Sequence, residues 1–267
     1  MNEMMTAKAA ALLGRAALLV LLALLATPGL AQSPPDAELR FSTGVMHLRE
    51  GRVDLALEEF KHAVQADPKN PYFQNGLGLA YAAKAGRKPE GAARDEWKDA
   101  IAAFRKALEL NPYYVDARNA LGYSLIMSGD REEGKQEILA AFSDAMNPAP
   151  EISAYNLGRA YLEEKNYAEA VNWLRASLNR NRAYSEAYLL LAETLVASGR
   201  VEAAVVELEA GVKEVPTDAG LQLGLGKAYY KVGRFSDARV KLEEALKLDP
   251  AGPAGRAAAE QLAALPK

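Results

Sequence analysis

The sequence predicts an all-α fold, a right-handed α-solenoid of six helix hairpins plus a C-terminal capping helix. Three observations predict it. Leu followed by a small residue recurs with a period close to 34 residues, at Leu77-Gly78, Leu121-Gly122, Leu157-Gly158, Leu191-Ala192 and Leu225-Gly226. In five of the units an Ala and, four residues later, a large apolar side chain stand in the second half, at Ala56/Phe60, Ala100/Phe104, Ala170/Leu174, Ala204/Leu208 and Ala238/Leu242. Prolines at 68, 112, 216 and 250 then close the units, because the residue before a proline is driven out of the helical region.

Six units lie end to end at 37–70, 71–114, 115–150, 151–184, 185–218 and 219–252. Gly78, Gly158 and Gly226 fall inside first helices. Glycine there costs about 1 kcal/mol relative to alanine, so its recurrence points to close helix approach. Tyr81, Tyr161 and Tyr229 are expected to fill the space beside it on the first helix, and Phe60, Phe104 and Leu242 on the second. Gly129, Gly199 and Gly233 stand where the chain must leave one helix and turn. One hairpin cannot bury its apolar face, but stacked neighbours can. After the sixth unit, residues 253–267 hold a short amphipathic helix (Gly255–Leu265, GRAAAEQLAAL) expected to cap the last hairpin, giving thirteen helices in all.

Two irregularities stand out. Tyr81 to Ala100 spans 19 residues, ten more than in the regular units, and Gly86, Pro89 and Gly91 imply an interrupted connection around 85–95, followed by Trp97 near the start of the second helix. Such insertions map to loops on one face of an array and serve either as tolerated surface loops or as partner contacts. The third unit is two residues too long, has Gly134 in place of the usual Ala, and joins the fourth through Met146-Asn147-Pro148-Ala149-Pro150.

At the amino terminus, Lys8 and Arg15 precede an unbroken apolar run of eleven residues, Ala16–Ala26, then Thr27-Pro28-Gly29 and small residues before Gln32. This is the layout of an export signal spanning 1–31, with 32–36 as a short lead to the mature chain. Eleven residues are short for a span, which needs roughly 20. The expected location is periplasmic, with an uncleaved inner-membrane anchor as the alternative.

Composition narrows the function further. The formal net charge is −3, which gives no basic excess for nucleic acid. There is no cysteine and only His47 and His62, which excludes disulfides, cysteine–zinc sites and thiol nucleophiles. Neither a phosphate-binding glycine loop nor an HExxH stretch is present. Glu163-Glu164 and Glu243-Glu244 read as solvated helix faces. No enzyme activity, cofactor, metal or small-molecule substrate is expected. A protein partner from the cell envelope or outer membrane is expected instead, with self-association as the structural alternative.

The side chains opposite the Leu-Gly pairs on the first helices are the candidate protein-binding face. They are Phe41, Asn75, Leu79, Asn119, Tyr123, Ile126, Tyr155, Arg159, Leu189, Glu193, Leu223, Lys227 and Tyr230. The set is aromatic and aliphatic with few charges, and Tyr and Arg are enriched among interface hot spots. Tyr123, Tyr155 and Tyr230 attract most attention, each either a contact residue or a packing residue.

The Leu-Gly-x2-Tyr, Ala-x3-Phe/Leu and Pro pattern identifies the chain as resembling the tetratricopeptide superfamily, which implies an adaptor role. A narrower resemblance rests on the signal-like start, six units, terminal helix and the stretch from Leu139 to Leu178 containing Asn156-Leu157-Gly158. It is similar to the type IV pilus biogenesis and stability proteins, the pilotins of the outer-membrane secretin. The resemblance implies binding of secretin subunits during assembly. Members usually carry an acylated cysteine at the mature start; this sequence has none, so that lipid anchor is unavailable.

Overall fold

A computed structural model describes residues 33–89 and 91–266. The expected export signal lies outside the described residues. Thirteen helices run through the described residues, the first twelve paired as antiparallel hairpins. They are α1 (Pro35–Arg49), α2 (Val53–Ala66), α3 (Pro71–Ala85), α4 (Arg94–Leu110), α5 (Val115–Ser128), α6 (Arg131–Ser143), α7 (Pro150–Glu163), α8 (Tyr167–Arg180), α9 (Ser185–Ala197), α10 (Val201–Glu214), α11 (Ala219–Lys231), α12 (Phe235–Leu248) and α13 (Pro253–Ala263). The chain divides into two compact units, with the boundary between Asn147 and Pro148. It falls inside the irregular third-to-fourth junction.

The hairpins close at their small residues. In the first three, a methyl group on Gly44 would lie 2.8 Å from the Phe60 ring and one on Gly78 2.6 Å from Phe104. In unit 2 the same relation holds between Gly158 and Leu174, 2.6 Å, and between Gly226 and Leu242, 2.7 Å. These are distances no real Cβ adopts, so the glycines are fixed by contact rather than by turn geometry. The third hairpin differs. Gly122 and Gly134 face each other, and a Cβ on either would meet the other's carbonyl oxygen, at 2.6 and 2.5 Å. Gly134 thus replaces alanine because the two backbones touch.

Turns within hairpins use the left-handed region. Gly129 (φ 108°), Gly199 (φ 79°) and Gly233 (φ 78°) sit there as expected, joined by Gly51 (φ 72°). In the fourth hairpin Lys165 (φ 59°) occupies the equivalent position. Loops between hairpins repeat a different device. Asp67, Asn111, Asp144 and Asn181 each accept, on a side-chain oxygen, the amide two residues on, at 3.1, 3.1, 2.8 and 3.0 Å. These side chains hold the turn both where proline follows, after Asp67 and Asn111, and where it does not.

The ten extra residues of the second hairpin are shared among three places. Measured against the fourth and sixth hairpins, α3 continues two residues further past its tyrosine. The connection 86–93 has eight residues against three, and α4 starts three residues earlier. The connection is tied down at both ends. Arg87 donates to the Gly51 carbonyl, Lys88 pairs with Glu96 at 2.5 Å, and Lys84 pairs with Asp54 at 2.8 Å. The added turn of α4 delivers Trp97 into the core of unit 1, edge-on to Tyr123 at 5.9 Å.

In unit 1 the core begins with Phe41, packed on Phe60 (5.5 Å) and Phe73 (5.1 Å). In unit 2 the largest fully buried side chains are leucines, among them Leu174, Leu191, Leu208, Leu225 and Leu242. The terminal helix α13 packs on α12 and α11, slightly earlier in sequence than expected, and buries Gly255 and Ala258. Exposed ion pairs such as Arg105–Glu133 (2.7 Å) and Arg175–Glu207 (2.6 Å) link successive second helices. Each contributes about 0.2–1 kcal/mol at most.

Candidate protein-binding face

Within unit 1, α1 touches α3 and α3 touches α5; within unit 2, α9 touches α7 and α11. First helices therefore crowd together on one side of each unit, as the periodicity implied. The expected side chains are not equally available on that side. Phe41, Asn75, Leu79, Ile126 and Tyr155 are buried. Asn119, Tyr123, Arg159, Leu189 and Leu223 are half-buried, and Glu193, Lys227 and Tyr230 are exposed.

Burial of the first five corrects the expectation that they line an accessible surface, and its causes can be named. Tyr114 and Tyr184 occupy the same place in their loops, immediately before α5 and α9. Each folds back over the preceding first helix. Asn75 Nδ2 donates to the Tyr114 hydroxyl at 3.1 Å, and the Tyr72 ring stands edge-on to Tyr114 at 5.2 Å. Tyr155 stands edge-on to Tyr184 at 5.4 Å. Burial pushes the Tyr114 hydroxyl well above its ordinary range, aided by the Asp116 charge, so the group stays protonated. Burial likewise raises the Asp116 carboxyl. The third hairpin has no tyrosine in this loop place, and at the corresponding register Asn119 stays half-buried. Phe41 is covered by Phe73, and Ile126 turns toward Gly134, whose missing Cβ would lie 2.7 Å from it. Leu79 belongs to the core cluster of unit 1.

One register along the first helices has a pattern. The residue directly after the small residue of each first helix (Gly44, Gly78, Gly122, Gly158, Ala192, Gly226) falls in the same register. In unit 1 these are Val45, Leu79 and Tyr123, all apolar; in unit 2 they are Arg159, Glu193 and Lys227, alternating in charge. Arg159 leans on Glu163 at 3.8 Å. Glu193 and Lys227 are exposed and carry no ion pair within the described residues. Two apolar side chains flank them. Leu189 packs toward α11, where a Cβ on Gly224 would lie 2.9 Å away, and Tyr230 is edge-on to Phe235 at 5.5 Å. The inner side of unit 2 is therefore a mixed charged and apolar strip. The alternation is visible in the sequence only when the units are set in register at their small first-helix residues. The loop tyrosines escape notice because they lie outside both helices.

Among the described residues, no group of three or more His, Cys, Asp or Glu is arranged to hold a metal ion. No described helix is long and apolar enough to cross a membrane.

Family models described as tetratricopeptide repeat match residues 6–71, 128–187, 161–222 and 195–262. The chain belongs to the tetratricopeptide-repeat superfamily. Those spans leave out 72–127, the stretch that contains the enlarged second hairpin. Among solved structures the chain is similar to PilW, a widely conserved type IV pilus biogenesis factor. The two share 20% identity with a TM-score of 0.61, over 84% of this chain and 98% of that one. It is equally similar to pilF of Pseudomonas aeruginosa, at 20% identity and a TM-score of 0.61, over 85% of this chain and 97% of that one. At this identity the likeness shows the fold. Protein CTR9 homolog of Arabidopsis thaliana is 23% identical over 223 residues, 80% of this chain and 19% of that protein. The chain spans less than half the length of each of the curated relatives that it matches.

Proposed function

We propose that this protein is a non-enzymatic adaptor of the cell envelope, exported to the periplasm, that grips a protein partner along the inner side of its first helices. The observation that carries the reading is the strip in unit 2 where Glu193 and Lys227 stand exposed and unpaired within the described residues, between Leu189 and Tyr230. Unpaired charges of alternating sign beside apolar side chains suit a helix or extended segment with complementary charges. They contribute more to selection and encounter than to raw affinity. A second reading is pilotin-like assistance to an outer-membrane secretin. It is favoured by the likeness of nearly the full length of PilW and pilF to this chain, together with the Asn156-Leu157-Gly158 stretch. Self-association along the same strip is the third.

The test is affinity capture from envelope extracts by the native chain and by the double reversal Glu193→Lys with Lys227→Glu, with bound proteins identified by mass spectrometry. A specific envelope protein held by the native chain and lost by the reversal supports the adaptor reading, and a secretin subunit in that position selects the second. Equal capture by both forms removes the strip from consideration. Recovery of only a second copy of the chain selects self-association.

A further inference from the structure

The loops joining successive hairpins present one side chain each at the third position of the turn, the residue whose amide the Asx side chain binds. In unit 1 these residues are Lys69, Tyr113 and Met146. Tyr113 is 85% exposed and Met146 83%, the two most exposed large apolar side chains among the described residues. At the equivalent places in unit 2 stand Ala183 and Thr217. Isolated exposed apolar residues are ordinary, but these two occupy the same turn position in consecutive loops, at the same end of their hairpins. The turns within hairpins lie at the opposite end.

The chain enters the described structure at this same edge. Ser33 Oγ donates to Asp67 Oδ2 at 2.6 Å and accepts from Asn70 Nδ2 at 2.8 Å, which fixes it to the first of the three loops. The apolar run Ala16–Ala26 precedes it by six residues, 27–32. At full extension those residues reach roughly 20 Å. Where the segment is retained as an anchor, the apolar run therefore lies within that reach of the edge at which Ser33 is fixed.

We propose that this edge of unit 1 rests on a lipid bilayer, with Tyr113 and Met146 entering the headgroup region beside Lys69. The residue types fit the task. Tyrosine buries its ring at the interface and keeps its hydroxyl wet, lysine extends its charge outward from an apolar stem, and methionine adapts its shape. The first loop supplies a single lysine, and Asp67 and Asp144 are engaged within the turns. Contact therefore depends on apolar insertion more than on anionic lipid. This inference does not rest on the inner-face reading.

The chain has no cysteine, so a single one can be placed and labelled. Full-length protein carrying Lys69→Cys or, at the opposite end of a hairpin, Asp130→Cys is labelled with an environment-sensitive fluorophore. It is then mixed with phosphatidylethanolamine–phosphatidylglycerol vesicles bearing brominated acyl chains. The expected result is a blue shift and several-fold stronger quenching at 69 than at 130, lost when Tyr113→Ser and Met146→Ser are added. Circular dichroism melts of the double-serine form should match the native ones, as both side chains are exposed. Equal signals at 69 and 130, or a signal at 69 that survives the double substitution, overturn the proposal. The first result means simple tethering; silence at both positions means the edge serves something other than lipid.

Discussion

Changing Gly134 to alanine restores the residue that this repeat usually carries, and helix propensity alone predicts a gain of about 1 kcal/mol. We expect a loss. The new Cβ would lie 2.5 Å from the Gly122 carbonyl oxygen, 2.7 Å from Ile126 Cγ1 and 2.9 Å from the Ile126 nitrogen. Two of these three atoms are backbone and cannot rotate aside. The helices α5 and α6 must separate, which loosens Ile138 and Leu125, both fully buried. Overpacking of this kind costs about 1–3 kcal/mol, and partial loss of core contacts adds to it. Set against the propensity gain, the net destabilisation should be about 1–2 kcal/mol. The fourth hairpin accepts alanine at this place because Ala170 O stands 3.3 Å from the Cβ that Gly158 would carry. Urea melts followed by circular dichroism provide the measurement, with hydrogen exchange of α5 and α6 to localise the effect, since arrays need not unfold in one step. Gln136→Ala on the exposed side of α6 is the control and should stay within about 0.5 kcal/mol. A Gly134→Ala protein as stable as the native one, or more so, would refute the backbone-contact account.

Three other predictions follow from the packing and the ion pairs. Lys165→Gly should stabilise the fourth hairpin by about 1 kcal/mol, because a left-handed lysine carries a penalty of that order that glycine avoids; a lower melting midpoint contradicts this. Tyr155→Ala should destabilise unit 2 by about 3–5 kcal/mol through loss of a buried ring and its contact with Tyr184, whereas Tyr155→Phe should retain most of the packing. Equal stability of the two variants contradicts a packing role. The hydrogen bond from Lys88 holds the Glu96 carboxyl below its ordinary range. A depressed carboxylate stabilises the fold above its unfolded pKa and loses that contribution as pH falls through the folded value. Glu96→Gln should therefore lower the thermal midpoint at pH 7 and leave it nearly unchanged in acid, below the carboxylate range; the same loss at both values removes the pairing from the explanation.

The repeat period, the hairpin count, the turn glycines and the terminal helix were all legible because they are local and periodic. The Gly-to-ring contacts followed from the same pattern. The binding face was legible only in outline. A 3.6-residue period identifies which side of a helix points away from its own hairpin, but it contains no information about what the next loop lays over it. Tyr114 and Tyr184, one residue outside their helices, decide that Asn75 and Tyr155 are covered. The ten extra residues between Tyr81 and Ala100 are legible, but their division between longer helices and a longer loop depends on ion pairs between hairpins, such as Lys84–Asp54, which are distant in sequence. Gly134 could be identified as unusual, but its cause lies in a helix crossing that one residue alone does not reveal.

The central claim is that first-helix side chains, and not the outward second helices, meet the partner. A photo-crosslinking amino acid placed singly at Glu193 and Lys227 on first helices, and at Val206 and Val240, exposed on second helices, tests it in cells. The account predicts one discrete protein adduct from 193 and 227 and none from 206 and 240. Adducts formed at 206 and 240 but absent at 193 and 227 would contradict it.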